Sequence, residues 1–155
     1  HSLIKNKMQE TGAPLAGEMS AHIFIKHRYY GYDDAAYAAI RFLSILANSP
    51  TKLSQIYDEL PQYYNTPELR FPCPEKDKKP VIKKIECYLQ EQPDISINNI
   101  DGLRVENKHG WWLLRASNTQ DVLVARCESA SQEGLTLLKK ELSNILEKVS
   151  IKFDA

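Results

Sequence analysis

The chain has 155 residues, with 20 basic and 20 acidic side chains and 43% hydrophobic content. That length holds one domain or two small ones with an ordinary core, and the balanced charge argues against broad electrostatic capture of nucleic acid or an anionic membrane. Cys73, Cys87 and Cys127 are odd in number and lack metal-type spacing, which fits a reduced, cytoplasmic setting in which each is a small apolar filler. No apolar run is long enough to span a bilayer.

Ser2 to Gln9 reads as a short helix with Leu3, Ile4 and Met8 on one side, closed by Gly12. Leu15-Ala16 and Ile23-Phe24-Ile25 read as strands. Asp33 is the expected N-cap of a helix reaching about Ala47, with apolar residues at 37, 40, 43 and 46. Ser49-Pro50-Thr51 breaks it, and a second helix follows from Lys52 to Leu60. Pro61 to Pro67, with two prolines, has the composition of an inter-domain linker. The expected domains are therefore 1–62 and 63–155.

In the second domain, Glu68 to Cys73 reads as a strand. A helix is expected from Pro80, placed in its first turn, to Gln90. Glu75 to Lys79 before it is a charge run expected to be solvated. Strands are expected at about 95–100, 102–107, 111–116 and 122–128, with Asn107-Lys108-His109-Gly110 as a hairpin turn. Of Trp111 and Trp112, one must face the core and the other the opposite side. Ser131 to Val149 closes the chain as an amphipathic helix with Leu135, Leu138, Leu142, Ile145 and Val149 on one face. This order gives an α+β domain with helices on one face of an antiparallel sheet.

Two segments carry chemistry. Arg115-Ala116-Ser117-Asn118-Thr119 gathers a guanidinium, two hydroxyls, an amide and backbone N–H groups in one short turn. Such a turn can wrap an anion, the arginine forking onto two oxygens. The same residues also suit an ordinary polar hairpin loop. In Gly17-Glu18-Met19-Ser20-Ala21-His22, the residues Glu18, Ser20 and His22 alternate and in an extended loop point the same way. That set suits the vicinal hydroxyls of a sugar, or simply the wet face of a strand. His27 and His109 read as solvated loop residues, and no His/Asp/Glu set has metal-ligand spacing in the sequence.

Together the segments resemble the phosphomannomutase/phosphoglucomutase group of α-D-phosphohexomutases. Gly17-Glu-Met-Ser-Ala-His22 resembles that family's sugar-recognition loop and Arg115-Ala-Ser-Asn-Thr119 its phosphate-binding loop. His1-Ser-Leu-Ile-Lys5, Tyr30-Gly-Tyr-Asp-Asp34, Thr66-Pro-Glu-Leu69, Asp101-Gly-Leu-Arg-Val105 and Gly110-Trp111 match in order and rough spacing. The resemblance implies a TATA-box-binding-protein-like C-terminal domain preceded by part of an α/β sugar-binding domain. It also implies an isomerase, an intramolecular phosphotransferase acting on hexose phosphates through a phosphoserine and a bisphosphorylated sugar. Glu18, Ser20, His22 and His1 would meet the sugar; Arg115, Ser117, Asn118 and Thr119 would hold the non-reacting phosphate. Met19 favours the mannose/glucose branch over the glucosamine branch.

Family features are also missing. Neither a phosphoserine loop nor an Asp-rich magnesium loop is present, and the sequence opens at His1 inside a motif. The expectation is a C-terminal third without its N-terminal domains, inactive alone and prone to dimerise. Mg²⁺ and a hexose 1,6-bisphosphate activator would belong to the full-length enzyme, with none bound by this part. The alternatives are a stand-alone phosphosugar-binding module without catalysis and an interaction domain whose sheet grips another chain. Two departures stand out. Ala21 occupies a position where the family has glycine, and Gln120-Asp121 stands where it has Thr-Pro, placing a carboxylate near the anion site.

Overall fold

The structure, a computed structural model, describes residues 1–18 and 20–153. It divides into two compact units, His1–Leu60 and Pro61–Ala155.

In the first unit, α1 (Ser2–Thr11) ends on Gly12, whose φ of 69° closes the helix in the left-handed conformation. It buries Met8. Strands β1 (Leu15–Gly17) and β2 (Ile23–Ile25) pair antiparallel, with Phe24 fully buried. The helix α2 (Ala35–Ala47) is capped by Asp34, not Asp33; the Asp34 carboxylate accepts the Tyr37 N–H at 2.9 Å. Among the described residues of α2 none is buried, and Ile40 and Leu43 are 63% and 62% exposed. The helix α3 (Leu53–Asp58) follows, with the Gln55 side chain accepting the Lys52 N–H at 3.1 Å.

The second unit is the expected α+β domain. Its antiparallel sheet comprises β3 (Tyr64–Asn65), β4 (Leu69–Pro72), β5 (Ser96–Asn98), β6 (Leu103–Asn107), β7 (Gly110–Ala116) and β8 (Val122–Ser129). The order is β3-β8-β7-β6-β5, and β4 also pairs β8. So the proline-flanked stretch taken for a linker contributes an edge strand: Tyr64 and Asn65 pair with Ser129 and Glu128. Helices α4 (Glu75–Gln90) and α5 (Gln132–Glu147) pack on one face. Their Ile85, Leu89, Leu135, Leu138 and Leu142 meet Leu103, Val105, Trp112, Leu114, Leu123 and Ala125 in one core.

Strand alternation separates the two tryptophans. Trp112 is fully buried and donates from its indole to Glu141 at 2.9 Å, satisfying the one polar atom it carries inward. Trp111 lies under the Arg104 guanidinium, 4.9 Å from the ring centre.

Several expectations are corrected. Helix α4 begins at Glu75, so Pro80 lies inside it and not in its first turn. Glu75 and Asp77 supply the first-turn carboxylates that a helix N-terminus favours, and Pro80 is on the exposed side, where water can take the carbonyl it leaves unpaired. The charge run is therefore helical, and Lys78 within it is buried. Cys87 is exposed on α4 and fills no core. Cys73 and Cys127 are buried; burial raises the Cys73 thiol and pushes Cys127 up to about 12. His109 is half-buried, and its carbonyl accepts the Ser129 hydroxyl at 2.5 Å.

Candidate functional site

The residues 117–121 form the turn between β7 and β8. Arg115 is not in this turn: it lies in β7, opposite Val124, and alternation turns it away from the helix-covered face that buries Trp112 and Leu114. Its guanidinium is half-buried and makes one long contact, 3.5 Å, to the Ala116 carbonyl. Gly102, at φ 78°, lies against it. A Cβ there would meet the Leu114 carbonyl oxygen and come within 2.6 Å of the Arg115 Cβ. The Asp101-Gly102 pair thus keeps room for the arginine.

The turn is tightly wired inward. Ser117 Oγ accepts the N–H groups of Thr119 and Gln120 at 3.3 and 3.2 Å, and the Ser117 N–H donates to the Val122 carbonyl. Those three backbone donors are therefore committed and do not face an anion, as the sequence reading had assumed. The hydroxyl proton of Ser117 stays available, since Oγ acts here only as acceptor. Among the described residues, the Asn118 amide and the Thr119 hydroxyl have no hydrogen-bond partner and are exposed. Lys78 of α4 donates to the carbonyls of Ser117 at 3.0 Å and Gln120 at 2.6 Å. Arg70 reaches the Gln120 side chain, and the Cys73 N–H donates to the Asp121 carbonyl. The Asp121 carboxylate lies 3.8 Å from the Lys78 ammonium, which offsets its charge. An open groove of about 380 Å³ borders Ala116 and Asn118, with Lys79 and Lys83 also on its wall.

In the first unit the stretch after Gly17 is a hairpin turn and not an extended loop. The Glu18 N–H donates to the His22 carbonyl, and the Ala21 N–H returns to the Glu18 carbonyl. Ala21 has φ 65°, so the position does demand the left-handed conformation that glycine adopts freely. Glu18 and Ser20 still meet, the hydroxyl donating to the carboxylate at 3.3 Å. Met19 lies outside the described residues. His22 Nδ1 is 2.7 Å from Asp33 Oδ2. An ionised carboxylate only accepts, so in the neutral ring the proton sits on Nδ1 and Nε2 carries the lone pair. The His1 ring packs edge-on against His22 and Phe24, and its Nε2 is 3.8 Å from Asp33.

Asp33 is thus a candidate site residue and not the helix N-cap expected of it. The available signal was the Asp33-Asp34 pair: one N-terminus uses one cap, which frees the other carboxylate. Nearby, Tyr29 donates its hydroxyl to Asp34; this bond raises the Tyr29 pKa and, together with the Tyr37 N–H, lowers that of Asp34. His1, His22 and Asp33 also place three ligand atoms within 4.8 Å of one another. Folding thus brings together three groups able to share an ion, from residues too far apart for spacing to reveal. Two imidazoles and one carboxylate suit a borderline metal such as zinc and not Mg²⁺, which prefers oxygen ligands. A separate hollow of about 280 Å³ lies among Lys5, Met8, Lys26, Tyr30 and Tyr32, and neither Glu18 nor His22 lines it.

Residues 68–145 match the family model for the phosphoglucomutase/phosphomannomutase C-terminal domain, and residues 1–64 match its alpha/beta/alpha domain III. The chain belongs to the phosphoglucomutase/phosphomannomutase family. A phosphomannomutase/phosphoglucomutase of Pseudomonas aeruginosa is 42% identical over 149 residues, covering 96% of this chain and 32% of the relative. A phosphoglucomutase of Neisseria gonorrhoeae is 41% identical, covering 95% and 32%. A crystal structure of a phosphoglucomutase/phosphomannomutase family protein from Burkholderia thailandensis superposes with a TM-score of 0.84 at 38% identity, covering 99% of this chain and 33% of that one. The chain spans about a third of the length of these relatives. Among the described residues, no helix is long and apolar enough to cross a membrane.

Proposed function

We propose that this chain is the substrate-binding part of a phosphohexomutase that interconverts hexose 1-phosphate and hexose 6-phosphate, with mannose, glucose or both as the sugar. The observation that carries this reading is the division of labour in residues 115–121. Carbonyls are tied to the interior, while the Arg115 fork, the Asn118 amide and the hydroxyls of Ser117 and Thr119 retain donor capacity. A tetrahedral dianion needs several such donors. Glu18 and Ser20 would take sugar hydroxyls, and His22 Nε2 would accept a hydroxyl proton while Asp33 fixes its tautomer. His1 would complete that wall. Because the sugar must bind in two orientations, these contacts should recognise features common to both.

Phosphoryl transfer would belong to the remaining domains of the full-length protein, which would act in the cytoplasm. Those domains would carry the phosphoserine, the Mg²⁺ site and the turnover of the hexose 1,6-bisphosphate. Among the described residues, the set of His1, His22 and Asp33 does not suit Mg²⁺, and the chemistry of that ion would belong to those other domains. The 155-residue chain is accordingly expected to show no mutase turnover, even with Mg²⁺ and bisphosphate, and activity above an enzyme-free control would refute this assignment of roles. In the full-length enzyme, Arg115→Ala is expected to reduce kcat/KM about tenfold to a hundredfold, the worth of one charge-assisted fork at ~1.4–2.8 kcal/mol. Arg115→Lys should also be impaired, since it keeps the charge and loses the fork. Unchanged kinetics in a folded Arg115→Ala variant would return the turn to an ordinary hairpin loop.

A further inference from the structure

Lysine is among the residues least often buried completely, yet Lys78 is 1% exposed. Its ammonium has three protons and finds three acceptors: the Ser117 carbonyl at 3.0 Å, the Gln120 carbonyl at 2.6 Å and the Glu75 carboxylate. Glu75 is its neighbour one helical turn away, and that carboxylate is largely in water. The two carbonyls are different in kind. They lie 39 and 42 residues further along the chain and three residues apart in the candidate phosphate turn. One cation gripping both closes that turn on itself.

The consequence is electrostatic. Carbonyl oxygens are the negative ends of the peptide dipoles and would repel an anion. Drawn inward by Lys78, those of Ser117 and Gln120 are withheld from the outer face. The exposed side is left to the donors of Asn118 and Thr119. The Lys78 charge itself is largely offset, by Glu75 and by Asp121 at 3.8 Å. Its contribution is therefore orientation more than attraction.

We propose that Lys78 is a positioning residue for phosphate binding, acting through the carbonyls of Ser117 and Gln120 without touching the ligand. The inference rests on the reading of residues 115–119 as a phosphate site. Four single variants of the full-length enzyme and one double variant test it: Lys78→Met, which keeps the length and removes the donors; Lys78→Gln, which keeps an amide donor; Lys76→Met, the same charge loss at an exposed position on the same helix; Arg115→Ala; and Lys78→Met combined with Arg115→Ala. Each is assayed for KM and kcat with glucose 1-phosphate and for inhibition by inorganic phosphate.

The expected result for Lys78→Met is a KM and a phosphate inhibition constant raised about tenfold, with kcat changed by less than about threefold. Lys78→Gln should fall between it and wild type, and Lys76→Met should match wild type. Combining Lys78→Met with Arg115→Ala should add little to Arg115→Ala alone, because both act on one anion site. A folded Lys78→Met with wild-type KM and phosphate inhibition, beside an impaired Arg115→Ala, overturns the role of Lys78 and leaves the phosphate site standing. Wild-type behaviour in both removes the phosphate site itself. Should Lys78→Met fail to fold, Lys78→Gln carries the kinetic test. Amide exchange compared between wild type and Lys78→Gln gives a readout apart from kinetics: faster exchange at Thr119 and Gln120, whose N–H groups donate to Ser117 Oγ, supports the tether, and unchanged exchange overturns it.

Discussion

The two turns that carry the candidate site residues are anchored by different means. Residues 117–121 are gripped from outside by Lys78 on α4, by Arg70 on β4 and by the Cys73 N–H. The turn after Gly17 is closed by its own hairpin bonds and steadied by Asp33 through His22. The same contrast runs through the units that hold them. The second surrounds its sheet face with two amphipathic helices and a continuous core. The first buries Met8 and Phe24 but leaves Ile40, Phe42, Leu43 and Ile45 of α2 exposed. A turn tied to a packed scaffold can present a fixed set of donors to an ion of fixed shape. A turn on a lightly packed unit depends on its own backbone, so its conformation is sensitive to single residues such as Ala21.

The largest expected effect breaks the contrast at its source. Trp112→Ala removes a fully buried ring and takes one donor from Glu141, which keeps the Asn107 amide at 2.7 Å, and should destabilise the second unit by about 3–5 kcal/mol. Leu43→Ala in α2 of the 155-residue chain should cost less than about 0.5 kcal/mol, because that side chain is already in water. Denaturant unfolding of both variants measures the difference. Equal losses would mean that α2 is packed against something in solution.

A smaller effect should appear at Gly102. Alanine there is strained at φ 78° and pushes on the Leu114 carbonyl and the Arg115 Cβ. The expected cost exceeds about 1 kcal/mol, and in the full-length enzyme KM for hexose phosphate should rise as Arg115 is displaced. A stability loss with KM unchanged would show that the glycine serves the strand bend alone.

These positions show what was legible beforehand. The strands, the hairpin at residues 108–109 and the face of α5 follow from local alternation and helical spacing, so they could be read directly. Pro80 was misassigned because a helix can carry proline on an exposed side, and the acidic first turn that starts α4 was taken for a solvated run. Tyr64-Asn65 became a strand only because Glu128 and Ser129 lie beside it in the fold. Lys78 and Asp33 were hidden for the same reason. Nothing within a few residues of Lys78 says that two carbonyls 39 and 42 residues away will surround it. The site residues that could be named in advance lie in short contiguous stretches. Those that were missed act on these stretches from elsewhere in the chain.

The smallest expected effect concerns Ala21, and its sign is the informative part. At φ 65° an alanine carries a steric penalty of about 1–2 kcal/mol that glycine escapes. Glycine in turn gives the unfolded chain more freedom, which takes back roughly 0.4–1 kcal/mol. The balance predicts that Ala21→Gly stabilises the first unit by about 0.5–1 kcal/mol. Gly12 provides the mirror experiment. Its φ is 69°, and a Cβ there would meet nothing within 4 Å, so only the backbone term changes. Gly12→Ala should therefore destabilise by a similar amount. Opposite signs of similar size in the two unfolding free energies would establish that the turn after Gly17 holds its left-handed residue under strain. Destabilisation by Ala21→Gly would show instead that this alanine is relaxed in its turn.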